Sequence, residues 1–184
     1  MPLLTNLIRM DHTAVMLAFH QYEIDAPASK KQGIAESICV ALEIHAQLEE
    51  EILYPATRPL VDRSLMDDRI VPETEEVLQR IAILRTLQPG SGEYDDAFMA
   101  LMREVIHHVA EEETTLLPAA ERQLSGQLGA LGARMAKRKL ELTAGRAGEL
   151  AASAWRMTSP RTLVLAAAVL LAGVCAARSL RTTS

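Results

Sequence analysis

The stretch HAQLEEEILYP, residues 45–55, returns in altered form as HHVAEEETTLLP, residues 107–118. In each stretch a histidine precedes a glutamate by four residues, and a proline follows near the end of a predicted helix. Residues i and i+4 lie one turn apart on the same face of an α-helix, so each pair can present an imidazole nitrogen and a carboxylate to one point. The repeat therefore predicts two helices with metal-binding side chains.

The composition favours helix over strand. Apolar residues make up 49% of the 184 residues, but only 3% are aromatic. Leu, Ala, Met, Glu and Arg, which are good helix formers, dominate the composition. We expect an all-α protein with a single core.

Apolar residues recur at three- and four-residue steps in five runs, which are separated by proline- or glycine-containing segments. The loops between the first four runs are of modest length, and no period of 20 to 50 residues recurs. These features predict an up-down-up-down four-helix bundle followed by an extra helix. The runs cover residues 5–24, 30–54, 73–87, 94–117 and 124–155.

Three histidines are in step with apolar stripes, on three of these helices. His45 is in register with Ile38, His107 with Met102, and His12 with the apolar residues of the first run. All three are therefore expected to face the core. Glutamates beside them would need a partner or a metal ion, because a buried ionised carboxylate is costly when it is unpaired.

An ordinary structural role has to be weighed for each residue alone. A single histidine such as His12 on an apolar stripe is more often a hydrogen-bonded core residue, and runs of glutamate are usually solvated. Two His-x-x-x-Glu pairs on alternate helices are much harder to explain by coincidence. Mixed imidazole and carboxylate donors suit iron or manganese, whereas structural zinc sites more often use thiolates.

These segments resemble the histidine-histidine-glutamate cation-binding domain of the hemerythrin family. The family pattern has Asp-His in helix one, His-x-x-x-Glu-Glu with Leu-Tyr-Pro in helix two, and a second His-x-x-x-Glu-Glu in helix four. The resemblance covers about residues 5–120. It implies two irons bridged by carboxylates, with an open position for dioxygen or a related small molecule. The implied ligands are His12, His45, Glu49, His107 and Glu111.

The chain departs from the family pattern in helix three. A Glu-His pair usually opens this helix, but the best match here is Glu73-Thr74, and no histidine occurs between His45 and His107. The second iron would then be held weakly, held by a carboxylate such as Glu73, or absent. The sequence leaves one or two irons open.

The resemblance implies a non-haem iron protein that binds, senses or reduces a small oxidant, namely dioxygen, peroxide or nitric oxide. Whether it acts as an enzyme is left open. Two alternatives also stay open: a membrane-tethered, non-enzymatic iron or oxygen sensor, and a degenerate metal-free helical interaction module. The oligomeric state is not indicated.

Charge and cysteine content restrict the partners. The net charge is −5, and every acidic residue precedes position 158, so the body of the chain is more acidic than the whole. Without a basic stripe, nucleic acid is not an expected partner, because its binding depends on clustered Lys and Arg. Cys39 and Cys175 form no C-x-x-C motif and are expected to be reduced packing residues.

The C-terminal part contains the uncharged apolar run TLVLAAAVLLAGVCAA, residues 162–177, between Arg161 and Arg178. It is near the lower length limit for a spanning helix. We expect a transmembrane helix at 161–180, with a helix buried against the bundle or a partner as the alternative.

The expected organisation is therefore a metal-binding bundle at residues 1–122, a helical extension or stalk at 123–160, and this C-terminal apolar helix. No secretory signal pattern precedes the bundle. The prediction is a cytoplasmic domain anchored to the cell membrane by the C-terminal helix.

Overall fold

The computed structural model describes residues 3–157, which are helical with no strand among them. The all-α prediction is confirmed. The helices, with one 3₁₀ turn at Arg58–Leu60, are α1 (Leu4–Phe19), α2 (Ala28–Leu48), α3 (Tyr54–Thr57), α4 (Arg63–Leu65), α5 (Val71–Thr86), α6 (Gly92–Glu111), α7 (Leu117–Gln123), α8 (Leu128–Gly145) and α9 (Ala147–Arg156).

Three five-residue π-helical turns interrupt this α-helical pattern: π1 (Glu49–Leu53), π2 (Met66–Ile70) and π3 (Glu112–Leu116). Each is followed by a proline, Pro55, Pro72 or Pro118, at the same distance from its first residue. Proline lacks an N–H, and its ring clashes with the carbonyl four residues earlier, so a helix cannot keep regular α bonding there. Single π turns inside α-helices are frequent at functional sites.

The buried apolar residues form two clusters, and the histidines lie between them. On α1, Ile8 belongs to one cluster and Val15 to the other, and His12 is between these positions. On α2, His45 similarly follows Leu42 and precedes Leu48. The polar side chains are thus enclosed by apolar packing on both sides along the helix axes.

The extension packs against the preceding helices. Helix α8 contacts α1 and α2, and α9 contacts α2. Leu128, Met135 and Leu150 are buried in the same cluster as Ile8. Within the described part of this extension, residues 123–157, the helices pack alongside the preceding helices and do not project as a stalk. The domain boundaries themselves stay a prediction.

The predicted membrane localisation has to be corrected. No helix within residues 3–157 is long and apolar enough to cross a membrane. The run 162–177, on which the prediction of a C-terminal apolar helix depended, lies outside the described residues. Membrane anchoring thus has no support in the described part of the chain.

Candidate metal centre

Four buried side chains converge between the helices. His12 comes from α1, His45 from α2, and Glu49 and Glu112 from the first residues of π1 and π3. One ligand atom from each lies within 4.8 Å of the others. Both glutamates have 0% exposure, and the two histidines have 4% and 6%. This His/Glu cluster could hold a metal ion.

The donors of this cluster are close together but mostly not hydrogen-bonded to one another. His45 Nε2 lies 2.7 Å from Glu49 Oε1, and His12 Nε2 lies 3.4 Å from Glu112 Oε2. Yet His12 Nε2, His45 Nε2, Glu49 Oε1 and both Glu112 oxygens have no hydrogen-bond partner. A buried polar atom without a partner costs about 1–3 kcal/mol. A cation between these atoms would satisfy them together, so the residues fit a metal ion.

His108 is a fifth donor at the same centre. It lies on α6, is 5% exposed, and its Nε2 atom is 3.7 Å from Glu49 Oε2 and 3.9 Å from Glu112 Oε2. It therefore approaches the two carboxylates from a third helix, α6, whereas His12 and His45 approach them from α1 and α2. Three histidines from three helices thus surround two glutamates.

Each of these histidines also has a carboxylate behind its ring. The Nδ1 atom of His12 is hydrogen-bonded to Glu113 Oε1 at 2.8 Å. His45 Nδ1 lies 3.6 Å from Asp11 Oδ2, and His108 Nδ1 lies 3.7 Å from Glu73 Oε2. Histidines that bind metals commonly have a carboxylate or carbonyl at the second nitrogen, which fixes the ring and its tautomer. All three rings therefore direct Nε2 towards the glutamates.

The pKa values show how charge is balanced in the metal-free cluster. Burial alone would lower the pKa of His45, but the carboxylates of Glu49 and Asp11 raise it well above its ordinary value. Burial likewise opposes protonation of His108, yet Glu49 and Glu73 raise the pKa of His108 to about 10. The neighbouring carboxylates therefore favour the protonated form of both rings, and a metal ion would compete with these protons.

The pKa values of the two glutamates are shifted in opposite directions. Burial raises the pKa of Glu49, but His45 and His108 outweigh burial and hold that pKa well below its ordinary value. The pKa of Glu112 is raised, first by burial and then by the negative charge of Glu49. One carboxylate is thus held ionised while its neighbour resists ionisation, because two buried negative charges repel each other. A divalent cation would relieve that repulsion.

Thr74 stands where the family pattern places a histidine. Its Oγ1 atom lies 2.7 Å from the Tyr54 hydroxyl, which donates a hydrogen bond of 3.0 Å to Glu49 Oε2. Thr74 offers no nitrogen donor and instead connects to the centre through Tyr54. The missing histidine is therefore replaced by a hydrogen-bonded pair that holds Glu49.

A small cavity adjoins the donors. The space available to the centre of a water-sized molecule is about 20 Å³, and its wall combines His12, His45, Glu49 and His108 with apolar side chains. A space of this size holds roughly one water molecule. The apolar part of the wall is formed by Val15, Leu42, Ala46, Val77, Val105 and Val109.

The structure does not bring all the predicted ligands together. His12, His45 and Glu49 meet as expected. The expectation that His107 faces the core is wrong, because its side chain is 64% exposed and its Nδ1 lies 3.2 Å from Glu73 Oε1. Glu111 also lies outside the cluster and pairs with Arg69 at 2.6 Å.

His107 and Glu111 lie outside the cluster because the buried stripe of α6 runs through the next residue in each case. Each step along an α-helix turns the side chain by about 100°. Leu101, Val105, His108 and Glu112 follow one another at three- and four-residue intervals and are all buried. His107 and Glu111 are one step behind this stripe. Glu73 lies beside His108, at the Nδ1 side of its ring, and is not one of the four converging donors.

The position of the prolines could have indicated the correct register. His45 and Glu49 precede Pro55 by ten and six residues. Counting the same distances back from Pro118 gives His108 and Glu112, whereas alignment on the first histidine gives the neighbouring pair. The proline is the better reference point because it fixes the π turn that begins at the buried glutamate.

The sequence model of the Hemerythrin HHE cation binding domain matches residues 3–120. This chain belongs to that family. A solved structure of a hemerythrin HHE cation-binding domain-containing protein from Mycobacterium kansasii is similar in fold, with a TM-score of 0.67 over 90% of this chain and 99% of that chain. At 20% sequence identity, this likeness supports the hemerythrin-like fold alone.

The hemerythrin-like domain also has a curated relative, a DNA nickase from Nostoc sp. The two are 30% identical over 122 residues, which is 66% of this chain but 34% of the relative. The chain thus spans about a third of the length of the curated relative that it matches.

Proposed function

We propose that this protein is a non-haem iron protein that binds and reduces a small oxidant, namely dioxygen, peroxide or nitric oxide, at the centre of a four-helix bundle made by α1, α2, α5 and α6. The observation that carries the proposal is the set of buried donors without hydrogen-bond partners on His12, His45, Glu49 and Glu112. A cation would give these atoms partners of good geometry that the protein itself does not provide.

The donor chemistry supports iron. Three imidazoles and two carboxylates form a mixed nitrogen and oxygen set, which suits iron, and no thiolate contributes within the described cluster. The acidic side chains would balance the charge of a divalent or trivalent ion. When bound, iron would provide an open coordination position for the oxidant and would pass on electrons, which an external reductant would have to replace for repeated turnover.

The arrangement supports two unequal metal positions. His12, His45, Glu49 and Glu112 provide a complete set of donors for one ion. His108 can share Glu49 and Glu112 with this set to form a second position, but Thr74 contributes no nitrogen to it. We therefore propose one tightly bound iron and a second that is bound more weakly.

The chain's own residues control what reaches the centre. The cavity of about 20 Å³ leaves room beside the donors for a molecule of very few atoms, and a larger molecule could enter only if the wall moved. An outer groove of about 1070 Å³, which Tyr54 lines, has Ala46 and Thr74 in common with the wall of that cavity. Small size and an apolar wall favour neutral diatomic molecules and peroxide over charged metabolites.

The alternative functions differ in what they predict for turnover. A non-enzymatic sensor would bind iron and the oxidant but would not consume peroxide through many cycles. A metal-free interaction module would bind no iron. The DNA nicking named for the Nostoc relative is not part of the proposal, because the shared region is a minor part of that protein.

The test is anaerobic titration of the metal-free full-length chain with ferrous iron, followed by addition of peroxide, dioxygen or nitric oxide. We expect binding of at least one iron per chain and a change in the absorption spectrum on adding the oxidant. When an excess of a chemical reductant is also supplied to return ferric iron to the ferrous state, we expect consumption of peroxide beyond the amount of iron present. Iron binding without repeated consumption would support the sensor. A chain that binds no iron would contradict the proposal.

A further inference from the structure

Lys139 connects the C-terminal extension to the metal centre. It lies on α8, beyond residues 3–120 that the family model matches. Its ammonium group pairs with Asp11 Oδ1, and the side chains of the two residues are only 12% and 11% exposed. A buried ion pair of this kind is unusual for a helix that merely covers a domain, because both charges must be removed from water.

The other oxygen of Asp11 faces the metal centre. Asp11 Oδ2 lies 3.6 Å from His45 Nδ1, while Nε2 of the same ring lies 2.7 Å from Glu49 Oε1. A continuous chain therefore runs from Lys139 through Asp11 and His45 to Glu49. Because Lys139 binds one carboxylate oxygen, it determines which oxygen remains for the imidazole.

Asp11 depends on this partner more than the equivalent carboxylates do. Glu113 and Glu73, behind His12 and His108, have side-chain exposures of 37% and 21%, so water can compensate part of their charge. Asp11 is more deeply buried. Beside it lies a cavity with about 30 Å³ for water-sized molecules, lined by Asp11, Lys139, Thr143 and Leu150. Removing the ammonium group would leave Asp11 room to turn away.

We propose that Lys139 is a positioning residue of the metal centre: through Asp11 it fixes the His45 ring, so that the extension helix α8 sets how tightly iron is held. The inference rests on the proposed iron-binding function. It assigns a role at the metal centre to the extension, which the family resemblance does not cover.

The main test compares Lys139→Met with Lys137→Met in the full-length chain. Lys137 lies on the same helix and is exposed, so it controls for loss of a positive charge. After loading with ferrous iron under anaerobic conditions, the rate of iron loss to a coloured chelator is measured. We expect Lys139→Met to lose iron several-fold faster. The upper limit is about 10–100 times, the usual effect of removing the partner directly behind a metal-binding histidine, which here is Asp11. Lys137→Met should behave like the unmodified chain.

A double-mutant cycle separates positioning from a general loss of stability. If Lys139 acts through Asp11, Lys139→Met should have little further effect on iron loss in an Asp11→Asn background. Lys139→Arg, which keeps the charge, should restore most of the retention. The inference is overturned if Lys139→Met retains iron as well as Lys137→Met does, or if its effect is the same with Asn at position 11.

A measurement on the metal-free chain distinguishes failure of this inference from failure of the iron proposal. The nitrogen NMR signals of the His45 ring report its tautomer and mobility. In Lys139→Met they should shift or broaden, while those of His12 stay unchanged. If the unmodified chain binds no iron, the iron proposal fails. Unchanged His45 signals would then overturn the positioning role as well, and shifted signals would support the Lys139–Asp11–His45 connection on its own.

Discussion

His108 Nε2 and Glu49 Oε2 lie 3.7 Å apart, although α6 and π1 are far apart in the chain. This contact connects the pair His45–Glu49 with the pair His108–Glu112, because Glu49 Oε1 is also 2.7 Å from His45 Nε2. Glu49 could therefore contribute to both of the metal positions proposed above. The relationship holds for His108 and not for its exposed neighbour His107.

Replacing Thr74 with histidine should strengthen the second metal position. Thr74 lines the cavity beside the donors and lies 2.7 Å from the Tyr54 hydroxyl, so an imidazole there would add a nitrogen donor at the centre. We expect Thr74→His to bind the second ferrous iron at least about tenfold more tightly, because even a residue that only supports a ligand commonly changes metal affinity by that factor. Stepwise anaerobic titration measures this affinity.

Thr74→Ala is the matched control, because it removes the Tyr54 contact without adding a donor. It should leave the second position as weak as in the unmodified chain, or weaker. If Thr74→His and Thr74→Ala bind the second iron equally, Thr74 does not occupy a vacant ligand position.

The stability of the metal-free protein should fall as the pH rises from 6.5 to 8.5. The pKa of His108 is raised to about 10 and that of His45 is also raised, against an ordinary value of 6.5 for each. A histidine whose pKa is raised by folding stabilises the folded state fully at a pH below its pKa in the unfolded chain. This stabilisation is lost as the pH rises towards its pKa in the folded chain. For each such proton the free energy of unfolding should fall by at most about 1.4 kcal/mol per pH unit.

Urea unfolding in the presence of a chelator measures this slope. Burial raises the pKa of Cys39 to about 12 from 9.0, so the chosen range stays below the titration of the unfolded thiol. His108→Gln should reduce the slope because it removes one of the protons. Stability that is flat or increases with pH in the unmodified chain would show that these histidines are not held protonated.

Gly33 should be essential for docking α9. A Cβ atom at Gly33 would lie 2.8 Å from the Ser153 carbonyl oxygen and 2.9 Å from Met157 Cγ, so the helices would have to move apart. We expect Gly33→Ala to lower the free energy of unfolding by about 1–3 kcal/mol, the usual cost of overpacking. Chemical denaturation provides the measurement.

Gly129→Ala is the appropriate comparison, since an added Cβ at Gly129 meets nothing within 4 Å. Alanine is the better helix former there, by roughly 0.5–1 kcal/mol. It should leave stability unchanged or increase it. Equal stability of the two variants would mean that α9 does not pack closely against α2.

Helices and family could be predicted from the sequence because apolar periodicity and the repeated His-x-x-x-Glu pattern are local signals. The structure brings His12, His45 and Glu49 together, and the apolar stripes of α1 and α2 predict this placement for the two histidines. The register on α6 was missed because residues 107 and 108 are both histidine, and residues 111 to 113 are all glutamate. When neighbouring residues are identical, a four-residue spacing cannot show which histidine and which glutamate face the core.

The contact between Lys139 and Asp11 could not be predicted from local sequence signals. It joins residues that are distant in sequence, on two helices whose relative rotation is fixed only when the extension packs. The same applies to the Tyr54–Thr74 contact, which depends on how α5 approaches α3. Such contacts depend on tertiary packing and have no counterpart in residue spacing.

The central claim is that His108, and not His107, faces the metal. The most direct test is iron content per chain and iron affinity for His108→Ala and His107→Ala, prepared in parallel from the full-length chain and loaded anaerobically with ferrous iron. Circular dichroism would establish that both variants keep their helix content. The account predicts that His108→Ala binds less iron, or binds it at least about tenfold more weakly, while His107→Ala matches the unmodified chain. Loss of iron in His107→Ala with full retention in His108→Ala would contradict the account.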